Sequence, residues 1–193
     1  MRKEKDFVTA HIPNSIFIGI DGGFAPWVGA LIKDVKQPIL LVAPEGRVEE
    51  VMTRLSRVGF DHTLGYLDGG IEAWKNAGKE VDSLTSITAE QFAKEVDETH
   101  YKVFDVRKPS EFEAEHLEIA NSVPLDFINE HLAEFPKDEN FYLHCAGGYR
   151  SVIAASILKS RGYHNIIDIA GGFGAIRHTG LPTTNFVCPS TKK

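Results

Sequence analysis

The chain has 193 residues, of which 42% are apolar and 25% are charged, the composition of an ordinary globular protein. Its formal net charge of −6 gives no basic footprint for nucleic acid, and its apolar runs are too short to span a membrane. Two cysteines are too few for a disulfide scaffold, and no apolar signal-peptide core follows the charged N-terminal residues. We therefore expect a cytoplasmic protein with no nucleic-acid or membrane partner.

In chain order, short apolar runs alternate with helical patterns. Runs rich in valine, isoleucine and leucine predict buried strands, at 38–43, 102–106, 141–144 and 165–169. Val48, Val51 and Leu55 recur at helical spacing, and a largely apolar pattern predicts a buried helix over 151–160. Strands that alternate with helices predict an α/β fold, in which a parallel sheet carries helices on both faces.

Two helix starts have the spacing of a capping box, in which a hydroxyl side chain and a Glu or Gln side chain three residues later bind backbone N–H groups reciprocally. Thr88 and Gln91 predict the start of a helix over 89–96. Ser110 and Glu113 predict a second such start.

The sequence contains an internal repeat with a period of about 102 residues. The run 39–43 resembles 141–145, and glycines follow each run at matching positions, which are Gly59, Gly69, Gly70 and Gly78 in the first copy and Gly162, Gly171, Gly172 and Gly180 in the second. The duplication predicts two domains of the same fold at 1–80 and 87–184. A polar linker at 81–86 joins them, and a tail follows at 185–193.

Upstream, the repeat has a spacing of 105 residues, because the segment at His11 matches the segment at His116. At this spacing Arg107 falls on Arg2, and the counterpart of Asp105 would fall at position zero, so most of the strand would precede the first residue. We therefore expect the first domain to lack its N-terminal strand and the chain to be a piece of a longer protein. An unusual natural N-terminus is the alternative.

The candidate functional site is the segment 143–151, Leu-His-Cys-Ala-Gly-Gly-Tyr-Arg-Ser, which joins a predicted strand to a predicted helix. Ligands of parallel sheets bind at the carboxyl ends of strands, where Cys145 stands. Backbone N–H groups freed by Gly147 and Gly148, together with the helix N-terminus, can surround an anion. The same field favours the nucleophilic thiolate form of Cys145. Arg150 adds a permanent positive charge.

Each cysteine has two interpretations. Cys145 in this setting predicts a nucleophile that holds a negatively charged adduct, and a buried structural cysteine is the alternative. Cys188 lies in a polar tail with no glycine or helix start nearby, which predicts no role; resolving an adduct at Cys145 is the alternative. In the first copy, Ala43 replaces the nucleophile and Glu45 brings negative charge into the loop. That copy is predicted to be structural or to shape a substrate cleft.

Other residues complete the predicted site. The anion-binding loop also includes Ala146, Tyr149 and Ser151. Asp105 and Arg107 are expected to support the loop through hydrogen bonds, and His144 fits a hydrogen-bonded core residue better than a base. Phe24 and Trp27 are candidates for lining a cleft between the copies, with core packing as the alternative. No His, Cys and Asp residues have metal-ligand spacing, so we predict neither a metal nor a cofactor.

Four features together resemble a rhodanese domain, namely Asp105-Val-Arg107, the segment from His116 to Val123-Pro124-Leu125, the loop 145–150 and the Gly171-Gly172 turn. The resemblance covers nearly all of 85–182, and the first copy resembles an inactive rhodanese domain over 2–78. The chain thus resembles tandem rhodanese-like proteins. More narrowly, 24–29 and 66–74 resemble persulfide dioxygenase–rhodanese fusions, which implies a metallo-β-lactamase-fold domain upstream as a partner.

The rhodanese resemblance implies sulfur transfer. Cys145 would take a sulfane sulfur from thiosulfate or a thiol persulfide, and its persulfide would pass that sulfur to cyanide, sulfite or a thiol in a second half-reaction. Loop N–H groups would stabilise the outer sulfur, and Arg150 would orient the donor or brace the loop. Ala146 and Tyr149 replace positions that are often charged in thiosulfate-preferring members, which leaves a thiol persulfide open as the donor.

Two other functions remain open. A phosphatase of the protein-tyrosine type needs five residues between its cysteine and arginine, whereas four separate Cys145 from Arg150. No aspartate near the loop offers a general acid for that chemistry. The second alternative is a non-catalytic interaction module, although many such modules have lost the cysteine that this copy retains.

Overall fold

The computed structural model of the chain describes residues 2–188. The chain divides after residue 83 into two compact units. Both units contain parallel strands and helices, which confirms the α/β fold predicted from the sequence. No helix within residues 2–188 combines the length and the hydropathy that crossing a membrane requires.

The first unit contains a two-stranded parallel sheet. Its elements are α1 (Glu4–Thr9), α2 (Phe24–Leu31), β1 (Ile39–Leu41), α3 (Val48–Ser56), β2 (Thr63–Tyr66) and α4 (Gly70–Asn76). Strand β1 occupies the middle of the predicted run 38–43 and pairs with β2. The spacing that predicts α3 also orients it, because Val51 and Leu55 are fully buried.

The core of the first unit includes an aromatic residue that the sequence assigned to a cleft. Phe24 is only 2% exposed and packs with Val28 of the same helix and Leu55 of α3. Its ring is therefore part of the hydrophobic core, and its prediction as a cleft residue is wrong. Trp27 is partly buried and packs against the same cluster.

The second unit is built on a five-stranded sheet. Its elements are β3 (Thr85–Thr88), α5 (Ala89–Thr99), β4 (Lys102–Asp105), α6 (Pro109–Ala114), β5 (Ala120–Ser122), β6 (Phe141–His144), α7 (Tyr149–Ser160), β7 (Ile166–Ala170) and α8 (Gly172–Ile176). All neighbouring strands are parallel, in the order β3-β7-β6-β4-β5. Strand β6 therefore lies at the centre of the sheet.

Helices cover this sheet as expected for a parallel α/β unit. Phe92 of α5 and Ile176 of α8 pack with Tyr142 of β6 in one buried cluster. Helix α7 packs on β6 and β7 and contributes no residue to that cluster, as expected of a helix on the opposite face. Phe141 and Leu143, which alternate with Tyr142 along β6, are also fully buried.

At the start of the second unit, a predicted capping box is confirmed and the predicted domain boundary lies too late in the chain. The capping box of Thr88 and Gln91 is confirmed, because the Gln91 N–H donates to Thr88 Oγ1 (3.2 Å) and the Thr88 N–H donates to Gln91 Oε1 (2.9 Å). Residues 85 and 86, which the sequence assigned to the linker, instead belong to β3 and pair with β7. Leu84 is already buried.

The capping box predicted at Ser110 and Glu113 is wrong. Helix α6 begins at Pro109, because proline suits the first helical position, where no N–H is needed. The side chain that reaches back is that of Glu111, whose Oε2 accepts from the Lys108 N–H at 3.2 Å. The helix therefore starts earlier than the hydroxyl pattern indicates.

The internal repeat has a structural counterpart in both units. His11 stacks on Phe7 and His116 stacks on Phe112, with ring centroids 4.1 and 3.7 Å apart. In each pair the histidine Nδ1–H donates to the phenylalanine carbonyl, at 2.8 and 2.6 Å. Helix α1 thus corresponds to α6. The elements that precede α6 in the second unit have no counterpart among residues 2–83.

Candidate functional site

The candidate loop leaves the central strand at the carboxyl edge of the five-stranded sheet. Cys145 follows β6 directly, and α7 begins at Tyr149. The cysteine is 1% exposed, whereas Ala146 is partly buried and Gly147 is exposed. The tip of the loop is therefore exposed, whereas the cysteine itself is enclosed.

The sulfur of Cys145 accepts a backbone hydrogen bond. The Gly148 N–H donates to Cys145 Sγ at 3.1 Å, and Gly148 adopts φ 106°, a conformation that favours glycine. Ser151 Oγ donates to the Gly148 carbonyl at 3.1 Å and so holds this residue in place. The positive end of the twelve-residue helix α7 lies at the same point. This arrangement is suited to stabilising a negatively charged sulfur.

Helix α8 fixes the other side of the loop. The Phe173 N–H donates to the Cys145 carbonyl (2.7 Å), and the Gly174 N–H donates to the Ala146 carbonyl (2.9 Å). This approach is close, because a Cβ atom on Gly172 would lie 2.3 Å from the Cys145 carbonyl oxygen. The glycine pair of the repeat therefore lets α8 begin directly against the loop.

Arg150 is engaged in an ion pair with a residue that the sequence analysis did not select. Its Nη1 and Nη2 donate to Glu111 Oε2 and Oε1 of α6, at 2.5 and 2.8 Å. Each partner favours the charged form of the other, so this pair raises the pKa of Arg150 and lowers that of Glu111. Arg150 thereby braces the loop against α6. The available signal was the repeat, which places the acidic Asp6 at the position of Glu111.

Asp105 and Arg107 form a buried pair beneath the site. Arg107 donates to the Asp105 carboxylate through its backbone N–H, Nε and Nη2, over 2.6–3.0 Å. Its guanidinium also lies 4.2 Å from the ring centre of Phe173 and donates to the Glu115 carbonyl. Because the Phe173 N–H donates to the Cys145 carbonyl, the pair supports the loop through α8.

His144 is fully buried, and its geometry does not fit a catalytic base. Its Nδ1 lies 3.3 Å from the Cys145 carbonyl oxygen, which can only accept, so the proton is on Nδ1. Burial lowers the pKa of His144 and favours the neutral imidazole. The interpretation as a hydrogen-bonded core residue fits this geometry.

A comparison with models of protein families agrees with the loop geometry and with the repeat. A model of the rhodanese-like domain matches residues 1–77 and 88–179. The chain belongs to the rhodanese family. Both units are matched, which fits tandem rhodanese-like domains.

Three relatives of this rhodanese-like protein show the level of similarity. The protein YqhL of Bacillus subtilis is 36% identical over 72 residues, which are 37% of this chain and 57% of YqhL. A sulfurtransferase of Allochromatium vinosum is 32% identical over 78 residues, 40% of this chain and 73% of its own. Thiosulfate sulfurtransferase 16, chloroplastic, of Arabidopsis thaliana is 32% identical over 95 residues, 43% of this chain and 79% of its own. Each match covers less than half of this chain, and that with YqhL spans little more than half of YqhL.

The first unit has a cavity beside the segment that corresponds to the loop of the second unit. The cavity has a volume of about 500 Å³, and its lining includes Ala43, Glu45, Glu49, Tyr66 and Asp68. Ala43 stands at the cysteine position, and the acidic residues disfavour an anion. Covalent chemistry at this cavity is therefore not expected.

Cys188 lies far along the chain from the rhodanese loop and is exposed, without a disulfide. Residues 185–188 are the described part of the predicted tail, and the Val187 N–H donates to the Ala114 carbonyl at 2.8 Å. The rest of that tail, residues 189–193, lies outside the described residues.

One buried carboxyl group of this rhodanese-like protein was not predicted from the sequence. Asp168 of β7 is 2% exposed; Ser86 Oγ donates to its Oδ2 at 3.0 Å, whereas Oδ1 has no hydrogen-bond partner within residues 2–188. Burial raises the pKa of Asp168 from 3.8 to about 6. The signal in the sequence was a lone acid within the apolar run Ile166 to Ile169, which predicts a buried position.

We expect the unfolding free energy of Asp168→Asn, relative to that of the parent, to increase as the pH rises. Because the folded-state pKa is raised, the contribution of Asp168 to stability is complete below pH 3.8 and is lost as the pH rises through about 6. Asparagine has no such loss, so the difference in unfolding free energy should shift in favour of the variant by about 1 kcal/mol between about pH 5 and about pH 8. Urea denaturation at both pH values measures this shift. A difference that is independent of pH would contradict the prediction.

Proposed function

We propose that this rhodanese is a sulfurtransferase that carries a sulfane sulfur on Cys145. The observation that carries the proposal is the hydrogen bond from the Gly148 N–H to Cys145 Sγ at 3.1 Å, at the positive end of α7. A sulfur atom bound to Cys145 would extend towards the Gly148 N–H and the positive end of α7, which would stabilise its negative charge. Distant relatives that are named sulfurtransferases support the proposal.

In the first half-reaction, the Cys145 thiolate attacks the terminal sulfur of the donor. A bond forms between Sγ and that sulfur, and the donor's own bond to it breaks. The leaving group departs with the electron pair, as sulfite from thiosulfate or as a thiolate from a thiol persulfide. No separate oxidant is needed, because the transferred sulfur arrives already in the sulfane state.

In the second half-reaction, an acceptor attacks the outer sulfur of the Cys145 persulfide. The bond between that sulfur and Sγ breaks, and the Cys145 thiolate leaves with the electron pair. Cyanide would become thiocyanate, sulfite would become thiosulfate, and a thiol would become a persulfide. The hydrogen bonds that α8 donates to the loop would hold Sγ in place for the next cycle.

Loading of Cys145 with sulfur tests the proposal directly. Incubation with thiosulfate or glutathione persulfide should increase the intact mass by one sulfur atom, and cyanide should then remove it as thiocyanate. An aryl phosphate should not be hydrolysed. If neither donor loads Cys145, the proposal is contradicted and a non-catalytic interaction module is favoured. Hydrolysis of the aryl phosphate would instead favour a phosphatase.

A further inference from the structure

We propose that Glu111 sets the donor preference of this site. By neutralising Arg150, it would favour thiol persulfides, in which the charge next to the reacting bond lies on the transferred sulfur alone, over thiosulfate, whose sulfonate adds charge on the other side of that bond. This inference rests on the proposed sulfurtransferase function. It assigns a specificity-determining role to a residue of α6 that lies outside the loop.

The geometry leaves Arg150 poorly placed to receive a second anion. Both of its terminal nitrogens donate to the same carboxylate, at 2.5 and 2.8 Å, in the fork geometry that suits a guanidinium. The Lys108 N–H also binds Glu111 Oε2 at 3.2 Å and limits rotation of the carboxylate. The side chains are only 15% exposed for Arg150 and 35% for Glu111, so solvent screens the pair incompletely.

The remaining charge in the loop is small. The residues between Cys145 and Arg150 are Ala, Gly, Gly and Tyr, none of which is charged near neutral pH. What is left is the backbone N–H of Gly148 and the positive end of α7, which suit one anionic sulfur. The sulfonate oxygens of thiosulfate would need an unpaired cation beyond that sulfur, and the arginine that ends the loop is already paired with Glu111.

In the first unit, the arginine that corresponds to Arg150 is also paired with carboxylates. Arg47 donates to Asp21 at 2.7 Å and to Glu50 at 2.8 Å. The acidic residues differ from the one at Arg150, because Asp6 stands at the position of Glu111 but Arg47 binds other carboxylates. Both units thus have an arginine at the end of the loop that is paired with carboxylates. Only in the second unit does that loop begin with a cysteine.

The test compares Glu111→Gln with the parent by the rate of sulfur loading on Cys145. Quenched samples analysed by intact mass give the second-order rate constants for thiosulfate and for glutathione persulfide, without any acceptor. With Arg150 unpaired, the ratio of thiosulfate to persulfide constants should rise by about tenfold or more, and added salt should lower the thiosulfate constant more in the variant than in the parent. Glu118→Gln, an exposed acid of the same unit, is the matched control and should keep the parent ratio.

A double variant assigns the effect to the guanidinium. Adding Arg150→Gln to Glu111→Gln removes the unpaired charge, so the ratio should return to the parent value. If Glu111→Gln slows both donors equally, Glu111 only braces the loop and the inference is wrong. Should that variant fail to fold, Glu111→Asp, which withdraws the carboxylate by one methylene, should raise the same ratio to a smaller extent, and an unchanged ratio would overturn the inference. A parent protein that neither donor loads would refute the proposed function itself.

Discussion

Replacing Cys145 by serine should abolish sulfur transfer and leave the fold intact. The serine hydroxyl fits the buried position and can accept the same Gly148 N–H, so little packing is lost. The hydroxyl is not ionised near neutral pH and forms no stable bond to a sulfane sulfur. We therefore expect the loading rate to fall by about a thousandfold or more.

Intact mass after incubation with glutathione persulfide measures this loss, and thermal denaturation measures the fold. Cys188→Ser is the matched control, because it removes the other thiol, which is exposed and lies outside the loop. The control should load as the parent does. Sulfur that remains on the protein after Cys145→Ser, or a loss of loading in Cys188→Ser, would refute the assignment of Cys145 as the carrier.

The position of Cys145 could be predicted because it depends on local rules. A buried apolar run indicated β6, two glycines and an arginine marked the loop, and an apolar pattern indicated α7. In a parallel sheet these elements place the residue after the strand at the ligand-binding edge. The structure places each element within a few residues of its predicted bounds.

The pairing of Glu111 with Arg150 could not be predicted in the same way. The two residues are 39 positions apart, and their contact depends on how α6 and α7 pack. The sequence offered only a weak signal, an acid at the same position of both copies. The first unit shows why that signal is weak, since Arg47 pairs with Asp21 and Glu50 instead.

Phe24 was a candidate for lining a cleft, and this prediction failed because the local structure was not predicted. The segment forms α2, in which helical spacing buries both Phe24 and Val28. Asp168 was missed because a single acid hardly disturbs an apolar run. Its raised pKa comes from burial beneath neighbouring elements, which is a property of the packed unit.

Gly172→Ala should displace the loop and impair both stability and sulfur loading. The new Cβ would lie 2.3 Å from the Cys145 carbonyl oxygen and 2.9 Å from two further backbone atoms, none of which can rotate away. Gly172 also has φ 55°, which an alanine adopts with strain. Relieving the clash would break the hydrogen bond from the Phe173 N–H, so we expect a loss of about 3 kcal/mol in unfolding free energy and about a tenfold slower loading of Cys145.

The repeat supplies a matched control for this prediction. Gly70 occupies the same position in the first unit, with φ 58°, but a Cβ there would lie 3.7 Å from the Ala43 carbonyl oxygen, an ordinary contact. Gly70→Ala therefore carries the same backbone strain without the clash and should cost only about 1 kcal/mol. Urea denaturation and the rate of sulfur loading should separate the two variants. Equal effects would mean that the close approach of α8 does not hold the loop, and that left-handed strain alone accounts for the requirement for glycine.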